Sequence, residues 1–445
     1  MKENHKNRGV ELVKDILIVF LTCSAVWLAA KTQLLGPLNG LLYEENTQTA
    51  IKPGQNTDRA GGIVPMTMVV NLPNDLGPSK DGEHIRMGVF HDQLACQELF
   101  RKVAGSLIEV LSSAGMLEEI DRAQWEQALT EQLGVYMDFQ GEIPMSVLAG
   151  WLTGGSTHLE GDVRRIILAP YQDSVSLYYR NEQDKTYYRT DSKMADLQML
   201  SNALSAVTNN GVYYAFESEE YRGLDPDTLL FSDSPDHKIY TVSNPMNGGE
   251  ESLRALVEEL GFPPNSTSFY STDEQVARNG DDNVRLSDHG VAEYTTGDGV
   301  GVLPILHQDS AGQLFDSVET CRQVAVSVMG SRCGEARIYL MGVERQEDGL
   351  EVDFGYSLNG VPVHLEGGYA ARFLVADGRI HRFTMRFRSY TASDNTLQAM
   401  PLKQAMAAYS AMGLDGEELL VTYFDKGGDT LTAGWAARGD RTKGE

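Results

Sequence analysis

From Ile16 to Ala30 the chain carries no charged residue, and its apolar character resumes after Lys31 as far as Leu35. A bilayer core asks for about 20 helical residues, which 15–35 supplies if the Lys31 ammonium reaches back to the interface. Backbone polar groups in hydrocarbon have to be satisfied within their own segment, so a single span of this kind is a helix. Lys2, Lys6, Arg8 and Lys14 precede it, and basic flanks stay on the cytoplasmic side. Residues 1–14 are expected to form a cytoplasmic tail, 15–35 a transmembrane anchor, and all that follows is expected outside the cell membrane. A cleaved secretory signal is the alternative, but Leu28-Ala29-Ala30 followed at once by Lys31 fits a small-x-small cleavage site poorly. Both readings export the rest. Thr22, Cys23, Ser24, Ala25 and Ala29 are small enough to let another helix approach the span closely.

At 445 residues the chain exceeds what one core supports and predicts several domains. Its net charge of −26 opposes nucleic acid, which needs a basic footprint, and opposes adhesion to anionic lipid. Cys23, Cys96, Cys321 and Cys333 are too few and too scattered for a disulfide framework. Two reduced thiols are favoured over a Cys321–Cys333 bridge.

Residues 36–62 are rich in glycine, proline and polar side chains with little periodicity, the pattern of a tether. An N-terminal domain over 63–210 is predicted to begin with a strand in Ile63–Val70. Helices at Gln93–Ser112 and Arg122–Gln132 follow, then a strand Gly134–Phe139 that stops before Ile143-Pro144. Strands in 165–169, 175–179 and 186–189 form a meander, and a helix over 192–207 ends at Asn209-Asn210-Gly211. A middle domain over 211–312 has strands at 212–215 and 238–242, a helix at 251–260 and a strand pair around His289-Gly290. A C-terminal domain over 313–445 opens with a helix at 314–329. Five strands over 337–389, a helix at 402–412 and strands at 419–424 and 431–438 complete it. Asn359-Gly360 is the strongest hairpin signal in the chain. Strands close together in sequence imply antiparallel sheets with packed helices, so the fold class is α+β, with two to three such domains behind the anchor.

The order of these elements, with several local phrases, resembles the YycH/YycI family, and the YycH-like members most, since the chain has room for an extra domain. The phrases are Val135-Tyr136-Met137-Asp138-Phe139 with Pro144 after it, Arg165-Ile166-Ile167-Leu168 with its tyrosine-rich meander, and Asn283 to Tyr294. In the last domain they are Val352 to Val363 and Val375 to Ile380. The resemblance implies a membrane-anchored accessory protein of the cell-wall-responsive sensor histidine kinase of Gram-positive bacteria. Such a protein acts by contact, with a sister YycI-like accessory protein as a second partner. It implies no chemistry, no cofactor and no catalytic, cofactor-binding or metal residue to carry over. The rival readings are a module that binds wall material or a lipid and, behind it, a wall hydrolase.

The residues support no catalytic motif. Gly297 to Gly301 lacks a following helix start and holds Asp298 where phosphate would sit, so a turn is expected. Asp281-Asp282-Asn283 with Asp288 lacks the glycine and distal glutamate of a calcium loop. The histidines never fall at zinc spacing, and no serine sits in a nucleophile elbow. Glu118-Glu119 and Glu258-Glu259 read as solvated faces of helices. One strand stands out: in His381 to Arg388 a period of two sends Phe383, Met385 and Phe387 inward and Arg382, Arg386 and Arg388 outward. Arg382, Arg386 and Arg388 are therefore the candidate partner surface. The competing reading is that acids on adjacent strands, such as Glu351 and Asp353, simply balance them.

Overall fold

The computed structural model describes residues 63–73, 85–192, 195–204, 208–231, 236–297, 303–305, 313–414 and 416–438. The tail, the anchor at 15–35 and the tether lie outside them, as do most of the Gly297–Gly301 turn, His84 and His307. Among the described residues no helix is long and apolar enough to cross a membrane. The fold is α+β, with antiparallel sheets as expected.

Seven strands make the first sheet: β1 (Thr67–Leu72), β2 (Ile85–Val89), β3 (Leu117–Ile120), β4 (Gly134–Pro144), β5 (Asp162–Tyr171), β6 (Ser174–Asn181) and β7 (Tyr187–Ser192). They lie in the order β2-β1-β4-β5-β6-β7-β3. Helix α1 (Gln93–Ser112) starts where the Asp92 carboxylate accepts the Ala95 N–H, as an N-cap does. It buries Leu99, Phe100, Val103 and Leu107 and packs on β1, β6 and β7. Helix α2 (Arg122–Thr130), closed by a capping box of Asp121 and Gln124, covers the opposite face and sinks Trp125 among Val69, Tyr136, Ile167 and Tyr178. The central strands are thus buried on both sides. That is why β5 reads as a continuous apolar run rather than an alternation.

Helix α3 (Met145–Thr153) has no counterpart in the sequence expectations. Met145, Val147, Leu148, Trp151 and Leu152 are all buried, so no polar face marks its period. Strand β4 does not stop at Phe139. The β4–β5 register breaks between Asp138 and Ile143, the β5–β6 register breaks between Val163 and Ile166, and the strands continue past both irregularities. Glu118-Glu119, expected on a helix, lies in edge strand β3, where Glu118 pairs with Arg189.

Beyond α4 (Leu197–Leu204), β8 (Tyr213–Tyr214) pairs with β9 (Leu229–Leu230). Strand β10 (Asp236–Ser243), helix α5 (Glu250–Glu259) and the meander β11 (Ser268–Ser271), β12 (Gln275–Asn279), β13 (Asp282–Leu286) and β14 (Val291–Thr295) follow. After α6 (Gln313–Met329) come β15 (Arg337–Gln346), β16 (Gly349–Leu358), β17 (Val361–Leu365), β18 (Ala371–Ala376), β19 (Arg379–Arg386) and β20 (Ser389–Gln398). Helix α7 (Leu402–Ala411), β21 (Glu418–Asp425), β22 (Thr430–Leu431) and β23 (Ala433–Arg438) end the described chain. The second sheet runs β11-β12-β13-β14-β19-β18-β16-β17-β21-β23, with β15 also on β16. Strands from both sides of residue 312 share it. Its pairings are antiparallel except β17 with β21, which is parallel. A small third sheet, β20-β10-β22, carries the strand Ser389–Gln398, where the sequence expectations assign no strand beyond Ser389.

Helices knit the two sheets together. α1 touches α3, α3 touches α6, and α6 packs on β15, β16 and β18. Trp151 donates its indole N–H to Glu319 at 2.8 Å, and Glu319 also holds Arg322. The backbones meet as well: a β-carbon on Gly141, in the β4 irregularity, would collide with the Leu340 carbonyl oxygen of β15. At Asn359-Gly360 both residues have positive φ, 50° and 82°, the hairpin geometry the dipeptide predicts. The Asn359 amide then donates to the His91 carbonyl at 2.6 Å and accepts from Gln93 N at 3.0 Å.

Candidate functional site

Two groups of charged side chains stand out, one inside the molecule and one on a sheet face. The inner group fills the paired irregularities of β4 and β5. Arg164 grips Asp138 through Nε and Nη2, at 2.9 and 2.7 Å, and Glu418 of β21 through Nη1 and Nη2, at 2.5 and 2.9 Å. Arg165 reaches Glu418 at 3.0 Å, Asp225 at 3.4 Å and Asp227 at 3.5 Å. Burial by itself would raise the Glu418 carboxyl, but Arg164 and Arg165 override it and hold the group well below the usual carboxylate range. Asp227 shifts the other way, because burial outweighs Arg165 and its neighbours. Each guanidinium is matched to carboxylates in bidentate or shared geometry. Arg165 Nε alone of the two guanidinium groups' nitrogens is buried without a hydrogen bond, 3.8 Å from Asp138, and the cluster ties the first sheet to the last strands.

The second group lies on the outer face of the large sheet. Phe383, Met385 and Phe387 are fully buried, so the period of two places Arg382, Thr384 and Arg386 outward, as expected. Arg388 parts from them. Strand β19 ends at Arg386, and Arg388 turns to the Asp425 carboxylate, at 2.8 and 2.9 Å, and to the Gly428 carbonyl. Burial alone would lower the Arg388 pKa, but the Asp425 bond raises it instead. Glu351 and Asp353 form their ion pairs with Arg372 of β18, at 3.2 and 2.6 Å, although Arg382 lies near enough to act on the Glu351 carboxylate.

Register adds two residues that the sequence pattern missed. Across β13, β14 and β19, Arg285 stands opposite Glu293 and Glu293 opposite Thr384. One row along, Arg278 faces Asn283, Asn283 faces Thr295, and Thr295 faces Arg382. Partners directly opposite share a face, so Arg278, Arg285, Arg382 and Arg386 gather on one side of four adjacent strands. Only the register brings together residues more than ninety positions apart, and no local signal in the sequence announces it.

Nothing at this face makes a reaction centre. Among the described residues no group of three or more His, Cys, Asp or Glu could hold a metal ion. Asp282, from the acidic stretch, is buried and accepts the Tyr294 hydroxyl at 2.8 Å. Cys96, Cys321 and Cys333 are buried free thiols, so the two late cysteines do not pair. Burial pushes Cys96 up to about 12 and Cys333 up to about 11.

Two largely antiparallel sheets joined by a helical layer, with arginines on the open face of the larger, make up an α+β architecture. The chain is similar to a solved structure, YycH from Bacillus subtilis, with a TM-score of 0.55 over 88% of this chain and 96% of that one. Sequence identity is 12%, so the likeness is one of fold. No protein-family model matches the chain, and no curated protein matches it in sequence. The resemblance to YycH first seen in short phrases therefore extends to the arrangement of the elements.

Proposed function

We propose that this chain is a non-enzymatic, membrane-anchored extracytoplasmic regulator of a sensor histidine kinase, working by protein contact. The supporting observation is the fold likeness to YycH over 88% of the chain, which agrees with what the sequence phrases imply. The partners in this reading are the kinase and a sister YycI-like accessory protein. Contact runs through the membrane helix at 15–35 and through exported surfaces, Arg382 and Arg386 among them.

The test is kinase output in cells whose copy of the protein carries a generic leucine helix in place of Ile16–Ala30. Export should persist while control of the kinase weakens, because a leucine helix spans but lacks the small packing residues. Kinase phosphorylation that stays unchanged, both in this variant and when the whole protein is removed, would sink the reading.

A further inference from the structure

Among the described residues many arginines are matched to acids, which is easily done where 63 Asp and Glu face 37 Lys and Arg. Arg86, Arg122, Arg164, Arg189, Arg322 and Arg372 all have carboxylate partners. The outer face of β12, β13 and β19 gathers arginines that are weakly matched or unmatched. Arg285 is exposed and stands opposite the exposed Glu293 of β14, which shares this face without forming an ion pair with it. Arg278 donates only to the Gly280 carbonyl. Arg382 meets Asp348 only at 3.8 Å, with both side chains more than half exposed.

Arg386 points further. Its guanidinium lies over the Tyr369 ring, 4.2 Å from the centroid, with Arg372 also 4.2 Å from the same ring. Its Nη1 is buried and makes no hydrogen bond. A buried cationic N–H without an acceptor is costly, and among the described residues no carboxylate forms an ion pair with this guanidinium to offset it.

We infer that this face binds an acidic segment of a partner protein in extended form, its carboxylates taken by Arg285, Arg382 and Arg386. Arg382 and Arg386 are four residues apart, roughly 14 Å along a strand, which matches carboxylates at i and i+4 of an extended segment lying along β19. Arg285 lies one intervening strand away, about 10 Å to the side. Planar guanidinium forks favour bidentate carboxylate contacts. Tyr369 and the exposed Tyr270, which stands opposite Val276 at the same face, give the arginine-and-tyrosine make-up of a protein contact. The chain's charge of −26 repels an acidic partner at long range, so recognition is confined to short distances and weakens with salt. The inference deepens the contact reading above by naming the chemistry of the partner.

The experiment uses the full chain in nanodiscs of zwitterionic lipid and a fluorescent peptide of alternating glutamate and threonine. The peptide should bind, a glutamine-for-glutamate peptide should not, and raised salt should release it. The variant R285Q/R382Q/R386Q should weaken binding about tenfold or more. R285Q/R382Q, which changes only two exposed side chains, should weaken it measurably without altering the melting temperature. Equal binding of the glutamine peptide, or no loss in either variant, would overturn the inference. So would salt-sensitive self-association lost in the variants, which would make the occupant a second copy. Kinase output is not read here, so this inference and the proposed function fail separately.

Discussion

Single side chains and single backbone atoms hold the two sheets in place. Gly141 is the sharpest case, since the Leu340 carbonyl occupies the space of any β-carbon there. Gly141→Ala is expected to destabilise the protein by about 1–3 kcal/mol, the usual scale of overpacking; a denaturation midpoint within error of the parent would contradict this. His91 makes a second residue-scale prediction. Its ring sits 4.7 Å from that of His237 and packs on Phe90 and Phe231. Burial and then His237 push its pKa down to about 3. Burial lowers His237 as well, with Asp236 opposing. An unfolded imidazole takes its proton near 6.5 and the folded one does not until about 3, so folding stability is full above 6.5 and falls as pH drops through that window. Between pH 7.5 and 5 the parent should lose stability, at up to about 1.4 kcal/mol per pH unit for each such histidine. His91→Asn, chosen because φ is 56° there and asparagine tolerates that region, should lose less. Urea midpoints at the two pH values decide it, above the range where Glu418 begins to matter.

At the scale of elements, the β16–β17 hairpin works as a clasp as well as a turn. Its dipeptide is set by positive φ, but the Asn359 amide also bonds the backbone at His91 and Gln93. Asn359→Ala should cost about 1–3 kcal/mol, from two lost hydrogen bonds and from alanine at positive φ. Faster amide exchange at the start of α1 than in α2 would show that the clasp had opened, and equal exchange in both helices would refute it. The sequence made this hairpin and helices α1, α5, α6 and α7 plain because each carries its own period or its own turn chemistry. It left α3 unread, because a helix buried all round has no amphipathic signature. It also carried β19 on to Ser389 and left 390–398 unassigned, because the turn of Arg388 to Asp425 depends on a residue in β21.

For the molecule as a whole, topology remains the expectation with the widest consequence. A reporter that works only outside the cell, fused after Glu445, should be active, and one that works only in the cytoplasm should be silent; an active cytoplasmic reporter would overturn the anchor reading. The sequence by itself determined the fold class, most helices, the antiparallel strand order within each meander and the inward Phe383 and Met385 of β19, since these follow from composition and short periods. Only the tertiary structure decided which strands from distant segments share a sheet, which arginines are spent on buried acids and which are left open. Register between β13, β14 and β19 set Arg285 beside Arg382, and the two strand irregularities set Arg164 between Asp138 and Glu418. Pairing of that kind is chosen by packing between segments far apart along the chain, and a local pattern carries no information about which distant segment will lie opposite it.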